Sequence, residues 1–293
     1  MASVLGFVNV FKAAGPSSAQ TVARIRGIYG VHSGDRHIGA GHLGTLDPQA
    51  AGVLPVAIGK ATRLIPLLTD QRKAYAGMLH LGRATTTQDA LGETVAEAEV
   101  PEDWGRRLQD AISQFVGRIE QTPPMFSAVH HDGRRLYELA REGRSVERRS
   151  RSATVYSITV IGIEERAARL RVTCGEGTYV RTLFADLGAV MGIPAHMGAL
   201  VREASGPFVL SESLTLDEIA GNPSAAIIPP ENIIPFPTIV LDLRGAVDFR
   251  AGRVVALPGG APAKHVFVRD ESRTLVGVGE THGALLAPRK VFA

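Results

Sequence analysis

The sequence predicts an α+β protein, with a large domain of strands and helices followed by a small β-barrel or sandwich. At 293 residues, 45% of them hydrophobic, the chain is long enough for one large domain and a smaller one. Runs with strand-like and helix-like periodicity follow one another up to about residue 220. After a proline-rich stretch, only short strand-like runs separated by turns remain. We therefore expect two domains, residues 1–235 and 236–293.

The first part of the chain combines helical and strand patterns. A helix is expected over residues 18–29, ended by Gly30. The apolar run 53–58 predicts a buried strand, and a short helix is expected at 61–68. Residues 73–82 (KAYAGMLHLG) alternate in character, which indicates a half-exposed strand.

The middle of the chain continues in the same way. Residues 102–116 carry apolar side chains at helical spacing and predict an amphipathic helix. Strands are expected at 154–163 and 168–174. A further helix starts near Val180 and should end at Gly192. Its first turn would contain an arginine at position 181.

The charge is small in total but unevenly distributed. The net charge is +3, and basic stretches at 1–73, 130–153 and 236–293 are separated by acidic ones. This pattern is typical of a folded nucleic-acid binder with one cationic face, although ordinary surface variation produces it too. Residues 121–152 combine two turns with a short arginine-rich helix, which indicates a surface excursion.

The composition also indicates the compartment. No stretch approaches 18 uncharged apolar residues, and the N-terminus lacks the pattern of a secretory signal peptide. The single cysteine, Cys174, excludes an intrachain disulfide and a cysteine-rich zinc site. We expect a soluble cytoplasmic protein with no membrane partner. No helical pattern argues for assembly, so we expect a monomer.

The stretch GHLGTLDPQAAGVLPVAIGKAT at 41–62 places one carboxylate, Asp47, on a turn. The proline that follows it disfavours helix at Asp47 and cannot donate to a strand ladder. Glycines at 39, 41, 44 and 52 would let another molecule approach the backbone. His42, Tyr75 and Arg181 are possible companions of Asp47. Each of the four side chains could equally have a structural role, such as a turn cap or an ion pair of Arg181 with Asp186 or Glu176.

Other chemistries lack the residues they need. None of the nine histidines forms an HxxxH pair, so no metal site is expected. Gly175 and Gly177 precede a helix, but Val180 occupies the place of the third glycine of a dinucleotide fingerprint. The chain has no Walker loop and no GxSxG elbow. We therefore expect no cofactor.

Five motifs in order resemble the TruB-type tRNA pseudouridine synthases over nearly the whole chain. They are GHLGTLDPQAAGVLPV at 41–56, KAY at 73–75 with LGRATTTQDALG at 81–92, QTPPMFSAVHHDGRRLYELAREG at 121–143, GTYVRTLFADLG at 177–188 and AHMGALVREASGPF at 195–208. The resemblance implies a catalytic domain with a mixed, largely antiparallel central sheet and flanking helices. It also implies a C-terminal PUA-like RNA-binding barrel.

The same resemblance implies a reaction and roles for particular residues. The family isomerises uridine 55 of the tRNA T-loop by breaking C1′–N1 and joining C1′ to C5, without a cofactor. Asp47 would be the nucleophile, Arg181 would pair with it and lower its pKa, and Tyr75 would stack on the flipped base and take part in proton transfer. His42 would fill the gap left by the base, and Leu200 would form a pocket wall. RNA contacts are expected from Lys12, Lys73, Arg134, Arg135, Arg141 and Arg144.

Some positions depart from the family pattern. Ala13 stands where proline is usual, and Gln49 and Ala51 replace the common leucine and threonine. None of these changes removes a side chain with an implied catalytic role. Two other functions remain open at this point: a non-catalytic tRNA-binding or folding protein, and a guide-RNA-dependent synthase that requires protein partners.

Overall fold

The computed structural model describes residues 4–127, 129–257, 260 and 263–292, without the side chains of residues 131, 137 and 141. The strands before residue 210 are β1 (Gly6–Lys12), β2 (Ala40–His42), β3 (Ala51–Ile58), β4 (Lys73–Leu81), β5 (Arg83–Thr85), β6 (Thr94–Glu97), β7 (Gly117–Gln121), β8 (His130–His131), β9 (Arg134–Arg135), β10 (Arg151–Glu164), β11 (Ala167–Cys174), β12 (Ala195–Ser205) and β13 (Phe208–Val209). The helices are α1 (Ser18–Ser33), α2 (Trp104–Gln114), α3 (Leu136–Arg141), α4 (Val180–Met191) and α5 (Leu216–Gly221), with 3₁₀ segments at Gly59–Leu67, Leu210–Glu212 and Pro230–Asn232.

Nine of these strands form one mixed sheet. Its main path runs β1-β3-β12-β4-β11-β10-β7, while β2 pairs with β3 and β13 with β12. The β12–β3 pairing is parallel and the others are antiparallel, so the expected mixed, largely antiparallel central sheet is confirmed. Helices α1, α2 and α4 pack on this sheet over the largest hydrophobic cluster, to which Ile25, Trp104 and Phe184 contribute.

The central strand β4 follows its sequence pattern closely. Alternate residues from Lys73 to Leu81 are buried, and those between them are half-buried, as the period of two predicts. Gly77 lies on the buried side, where a Cβ would come within 2.9 Å of Leu200 and 3.1 Å of Phe184. The buried side of β4 therefore packs against α4 and β12 with no space for a larger residue at position 77.

Two predicted helices differ from the structure. The first was expected to end at Gly30, but α1 continues to Ser33 and ends at Gly34, whose left-handed φ of 71° suits glycine. Gly30 is buried inside the helix instead. The helix expected at 61–68 is a 3₁₀ segment that includes Pro66. The helix ended by Gly192 is confirmed.

The C-terminal part of the chain forms a second sheet. It contains β14 (Thr238–Val240), β15 (Val255–Ala256), β16 (His265–Arg269), β17 (Leu275–His282) and β18 (Leu285–Val291), with α6 at Leu243–Arg250. Within the described residues the strands pair along one open path, β14-β16-β17-β18-β15, so the expected PUA-like barrel is not confirmed. Helix α6 was not expected from the sequence. Asp242 caps its start, since the Asp242 side chain accepts from the Gly245 N–H at 2.7 Å, and Phe249 of the helix is fully buried.

The two sheets share a hydrophobic cluster. Phe7 and Phe208 from the first sheet pack in the same cluster as Phe267 and Val278 from the second. The C-terminal sheet is therefore attached through a buried apolar contact. Among the described helices, none is long and apolar enough to cross a membrane.

Candidate active site

One cavity of about 450 Å³ contains most of the side chains that the sequence singled out. Its lining includes His42, Asp47, Lys73, Tyr75, Arg181 and Leu200. These residues come from a strand edge, a turn, the central strand, the first turn of α4 and β12. The fold therefore brings together residues that are up to about 160 positions apart in the chain.

Arg181 contacts Asp47 and two neighbouring loops in this cavity. Its side chain is only 4% exposed, and its Nε lies 2.9 Å from Asp47 Oδ2. The Nε–H is not aligned for a hydrogen bond to that oxygen, so the contact is an ion pair. Nη1 donates to the Thr87 carbonyl at 3.2 Å and Nη2 to the Phe126 carbonyl at 2.9 Å. The guanidinium therefore ties the Asp47 turn to two other loops.

Asp89 is a second carboxylate at Arg181 that the sequence reasoning did not single out. Its Oδ2 lies 3.5 Å from Arg181 Nη1 and accepts from Gln49 Nε2 at 2.5 Å, while Oδ1 accepts from Thr87 Oγ1 at 2.6 Å. Asp89 belongs to the motif LGRATTTQDALG, which was the available signal. Gln49, one of the departures from the family pattern, thus links the Asp47 turn to the loop that carries Asp89.

The Asp47 carboxylate is partly desolvated and stays accessible. Burial raises its pKa above the ordinary value of 3.8, the charge of Arg181 lowers it, and Asp89 raises it again. Arg181 therefore acts in the expected direction, but the net pKa shift is upward because burial outweighs it. The side chain remains 33% exposed to the cavity. An anion that is desolvated, held in place and still reachable is suited to attack an electron-poor carbon.

Lys12 does not lie where an RNA contact would require it. It is 1% exposed, and its Nζ donates to the carbonyls of Ala13 at 2.9 Å, Pro48 at 3.1 Å and Ala50 at 2.7 Å. Burial lowers its pKa to about 8. Three backbone acceptors occupy the ammonium in this structure, so Lys12 would have to leave them to contact RNA. Lys12 fixes the turn that follows Asp47.

Arg202 was also missed by sequence reasoning, although it lies in a recognised motif. It is fully buried, and it donates from Nε to Val53 O at 2.6 Å and from its two Nη atoms to Thr45 O and Gly44 O at 3.1 Å each. A Cβ on Gly52 would lie 2.3 Å from the Arg202 carbonyl. The small residue at 52 is therefore required by strand β12.

Three further predicted residues line the cavity. His42 accepts at Nδ1 from the Gly44 N–H at 3.3 Å, and burial together with Arg202 lowers its pKa. Its imidazole is therefore neutral near pH 7. Leu200 is buried in the wall. The pKa of Lys73 is also lowered, mainly by burial, and its side chain faces the same space.

Three predicted arginines of the insertion, Arg134, Arg135 and Arg144, lie on an exposed surface. Arg134 makes two contacts with Glu142, at 2.5 and 3.1 Å, and Arg144 lies 3.8 Å from the same carboxylate. Arg135 is exposed and close enough to lower the pKa of His42 by its charge. The side chain of Arg141 lies outside the described part of the structure. Arg134, Arg135 and Arg144 do not line the cavity.

Comparison with known proteins assigns a family to this fold and site. The model of the TruB family pseudouridylate synthase N-terminal domain matches residues 35–180, and that of the tRNA pseudouridylate synthase B C-terminal domain matches residues 181–225. Proteins named tRNA pseudouridine synthase B are similar in sequence. Those of Pseudomonas paraeruginosa and Streptococcus pneumoniae are each 39% identical, over 99% and 98% of this chain and 96% and 99% of theirs. The chain belongs to the TruB family of pseudouridine synthases.

The same fold occurs in a solved structure of a Cbf5–Nop10–Gar1 complex. One of its chains superimposes with a TM-score of 0.68 and 30% identity, covering 98% of this chain and 85% of its own. A second solved structure, of an H/ACA RNP bound to a substrate RNA containing 2′-deoxyuridine, gives a TM-score of 0.68 at 27% identity. The similarity extends over both sheets of the chain described above.

Proposed function

We propose that this chain isomerises uridine 55 in the T-loop of tRNA to pseudouridine. The observation that carries the proposal is the Arg181–Asp47 ion pair inside a cavity that also presents Tyr75. Asp47 acts as the nucleophile and Arg181 keeps its carboxylate directed. Tyr75 stacks on the flipped uracil, and stacking of this kind contributes about 1–3 kcal/mol per base. Membership of the family supports this assignment.

The remaining cavity residues receive roles on the same basis. We propose that His42 occupies the gap left in the T-loop by the flipped base and that Leu200 packs against the uracil. Both line the cavity beside Asp47, which supports these roles. Lys73 has its ammonium in the same space and would contact the RNA backbone. No step requires a cofactor, since the reaction breaks and re-forms a bond to C1′ without net redox change.

RNA binding is proposed for the surfaces around the cavity. The 121–152 insertion would grip the T-arm through Arg134, Arg135, Arg141 and Arg144. We further propose that residues 1–235 form the catalytic domain and residues 236–293 a PUA-like domain that also contacts RNA. The second sheet and its basic residues support the latter. We expect the chain to act as a cytoplasmic monomer, without an obligatory protein partner.

The test uses a T-arm stem-loop with uridine tritiated at C5. The label is released only if C5 becomes the glycosidic carbon, so we expect release by the purified chain on bare RNA. Binding without release would favour a non-catalytic RNA-binding protein. Release only after addition of a guide RNA and partner proteins would favour a guide-dependent synthase, and the similar chain in a solved complex with Nop10 and Gar1 makes this outcome worth testing.

A further inference from the structure

Arg181 faces two carboxylates with a single positive charge. Its Nε lies 2.9 Å from Asp47 Oδ2, and its Nη1 lies 3.5 Å from Asp89 Oδ2. The Asp89 side chain is 5% exposed, whereas that of Asp47 is 33% exposed. A buried carboxylate without donors is costlier than one in contact with solvent. On burial alone the guanidinium should therefore lie closer to Asp89 than to Asp47, but the two distances are in the opposite order.

The oxygens of Asp89 are occupied by neutral donors. Oδ1 accepts from Thr87 Oγ1 at 2.6 Å and from the Leu91 N–H at 3.0 Å. Oδ2, the oxygen that faces Arg181, accepts from Gln49 Nε2 at 2.5 Å. Gln49 is thus closer to this oxygen than Arg181 is. The amide therefore satisfies the Asp89 oxygen to which the guanidinium would otherwise be drawn.

Gln49 belongs to the same turn as Asp47. The Asp47 carbonyl accepts from the Ala50 N–H at 3.1 Å, which closes a turn with Gln49 as its third residue. Lys12 Nζ binds the carbonyls of Pro48 and Ala50, so the backbone on either side of Gln49 is held in place. The amide therefore extends from a fixed backbone position.

We propose that Gln49 is a positioning residue, which binds Asp89 so that the guanidinium of Arg181 remains with the nucleophile. This inference rests on the proposed function, in which the nucleophile is Asp47. Without the amide, Arg181 Nη1 is the remaining donor for Asp89 Oδ2 within the described residues. The guanidinium then moves towards Asp89 and away from the Asp47 turn. Gln49 acts through these side chains and touches no reacting atom.

The experiment compares Gln49→Leu and Gln49→Met with the wild type, alone and in an Asp89→Asn background. Neither new side chain donates a hydrogen bond, and methionine keeps the length of glutamine. In single turnover on T-arm RNA, Q49L and Q49M should be about 10-fold slower, less than the roughly 100-fold cost of a 1 Å displacement. Their RNA Kd should stay close to that of the wild type. Gln114→Leu, at the exposed end of α2, is the matched control.

A second measurement follows Asp47 without turnover. Aspartate labelled with ¹³C at the carboxyl group is titrated in the RNA-free protein, and the Asp47 signal is assigned by its loss in Asp47→Asn. Because Arg181 lowers the pKa of Asp47, its withdrawal should raise the midpoint in Q49L by about half a pH unit or more. The acid limb of the rate profile should move to higher pH with it. In the Asp89→Asn background the competing charge is gone, so Q49L should add less than half of these effects.

The contrary outcomes are distinct. An unchanged or lowered midpoint in Q49L and Q49M overturns the proposal, because Arg181 then stays with Asp47 when the amide is gone. Equal effects in both backgrounds also overturn it, since Gln49 then acts independently of Asp89. A loss that lies only in the RNA Kd would make Gln49 an RNA contact instead, and failure of both variants to fold would make it a structural residue. If the midpoint rises but wild-type protein releases no label, the proposed function fails while the link from Gln49 to Arg181 stands.

Discussion

The cationic side chains at the Asp47 turn and those on the 121–152 insertion differ in their burial and in their partners. Beneath the turn, Lys12 and Arg202 are buried and bound to backbone carbonyls. On the insertion, Arg134 and Arg144 are exposed and share the carboxylate of Glu142. Arg181, which pairs with Asp47, also donates to the Phe126 carbonyl of the insertion.

This difference follows from the task of each region. A reacting carboxylate must stay in place to within a fraction of an ångström, so the turn is fixed by buried donors that have no alternative partners. RNA phosphates are bound by exposed cations that exchange one partner for another. On the proposed function, the protein separates catalysis, which needs rigidity, from RNA binding, which needs available charge.

The largest effect is expected at the centre of the rigid region. Asp47→Asn keeps the size of the side chain but removes the nucleophile, so tritium release should fall on the order of 10⁴-fold or more. Binding of the T-arm RNA, measured by filter retention, should remain. Asp110→Asn, at an exposed carboxylate of α2, serves as the control. Substantial turnover by the Asp47 variant would show that another group is the nucleophile.

The second largest loss of activity is expected from replacing Arg181. Arg181→Met removes the charge beside Asp47 together with the hydrogen bonds to the Thr87 and Phe126 carbonyls. We expect single-turnover rates to fall about 10²- to 10³-fold, the scale for one preorganised polar group in a buried site. Arg169→Met, at an exposed arginine of β11, is the control. A loss of less than threefold would mean that the ion pair does not direct the carboxylate.

The same ion pair predicts a pH dependence. Burial raises the pKa of Asp47, so the acid limb of the rate profile should lie above pH 3.8, and activity should fall as the carboxylate takes up a proton. Arg181 opposes this shift. Its replacement by methionine should therefore move the limb to higher pH, whereas Arg181→Lys should move it less. A limb that stays in place or moves to lower pH in the methionine variant contradicts this electrostatic account.

Lys12→Met separates stabilisation from RNA contact. The change leaves the Ala13, Pro48 and Ala50 carbonyls without their donor and should destabilise the fold by about 2–4 kcal/mol in urea unfolding. The salt dependence of RNA binding should not change, because the ammonium does not reach a phosphate. Lys264→Met, at an exposed lysine, is the control for stability. A salt slope lowered by a full unit without loss of stability would restore Lys12 as an RNA ligand.

The smallest effect is expected on the insertion. Glu142→Gln releases Arg134 and Arg144 from their shared carboxylate, so RNA binding should tighten roughly two- to five-fold, the scale of a surface ion pair. Arg134→Gln should instead weaken binding and lower the salt slope by about one unit. Glu165→Gln, at another exposed carboxylate, is the control. If both insertion variants bind RNA as the wild type does, the RNA-binding surface lies elsewhere.

Local patterns predicted much of this protein because their physical causes are local. The alternation along β4 reflects which side chains of that one strand are buried. The glycine that ends α4 reflects the backbone conformation of that one turn. Helix α6 was missed because it is short and only part of one face is buried. The open C-terminal sheet depends on which strands pair, which a strand pattern does not specify.

The sequence by itself determined the family, the turn that carries Asp47 and the side chains that could join it. Only the tertiary structure decided which charges are buried. The sequence predicted Lys12 as an RNA ligand and gave no reason to single out Arg202. Both side chains nevertheless lie beneath the turn and bind its carbonyls. The reason is physical: a sequence lists donors and charges, whereas their energies depend on burial and on partners supplied by distant strands.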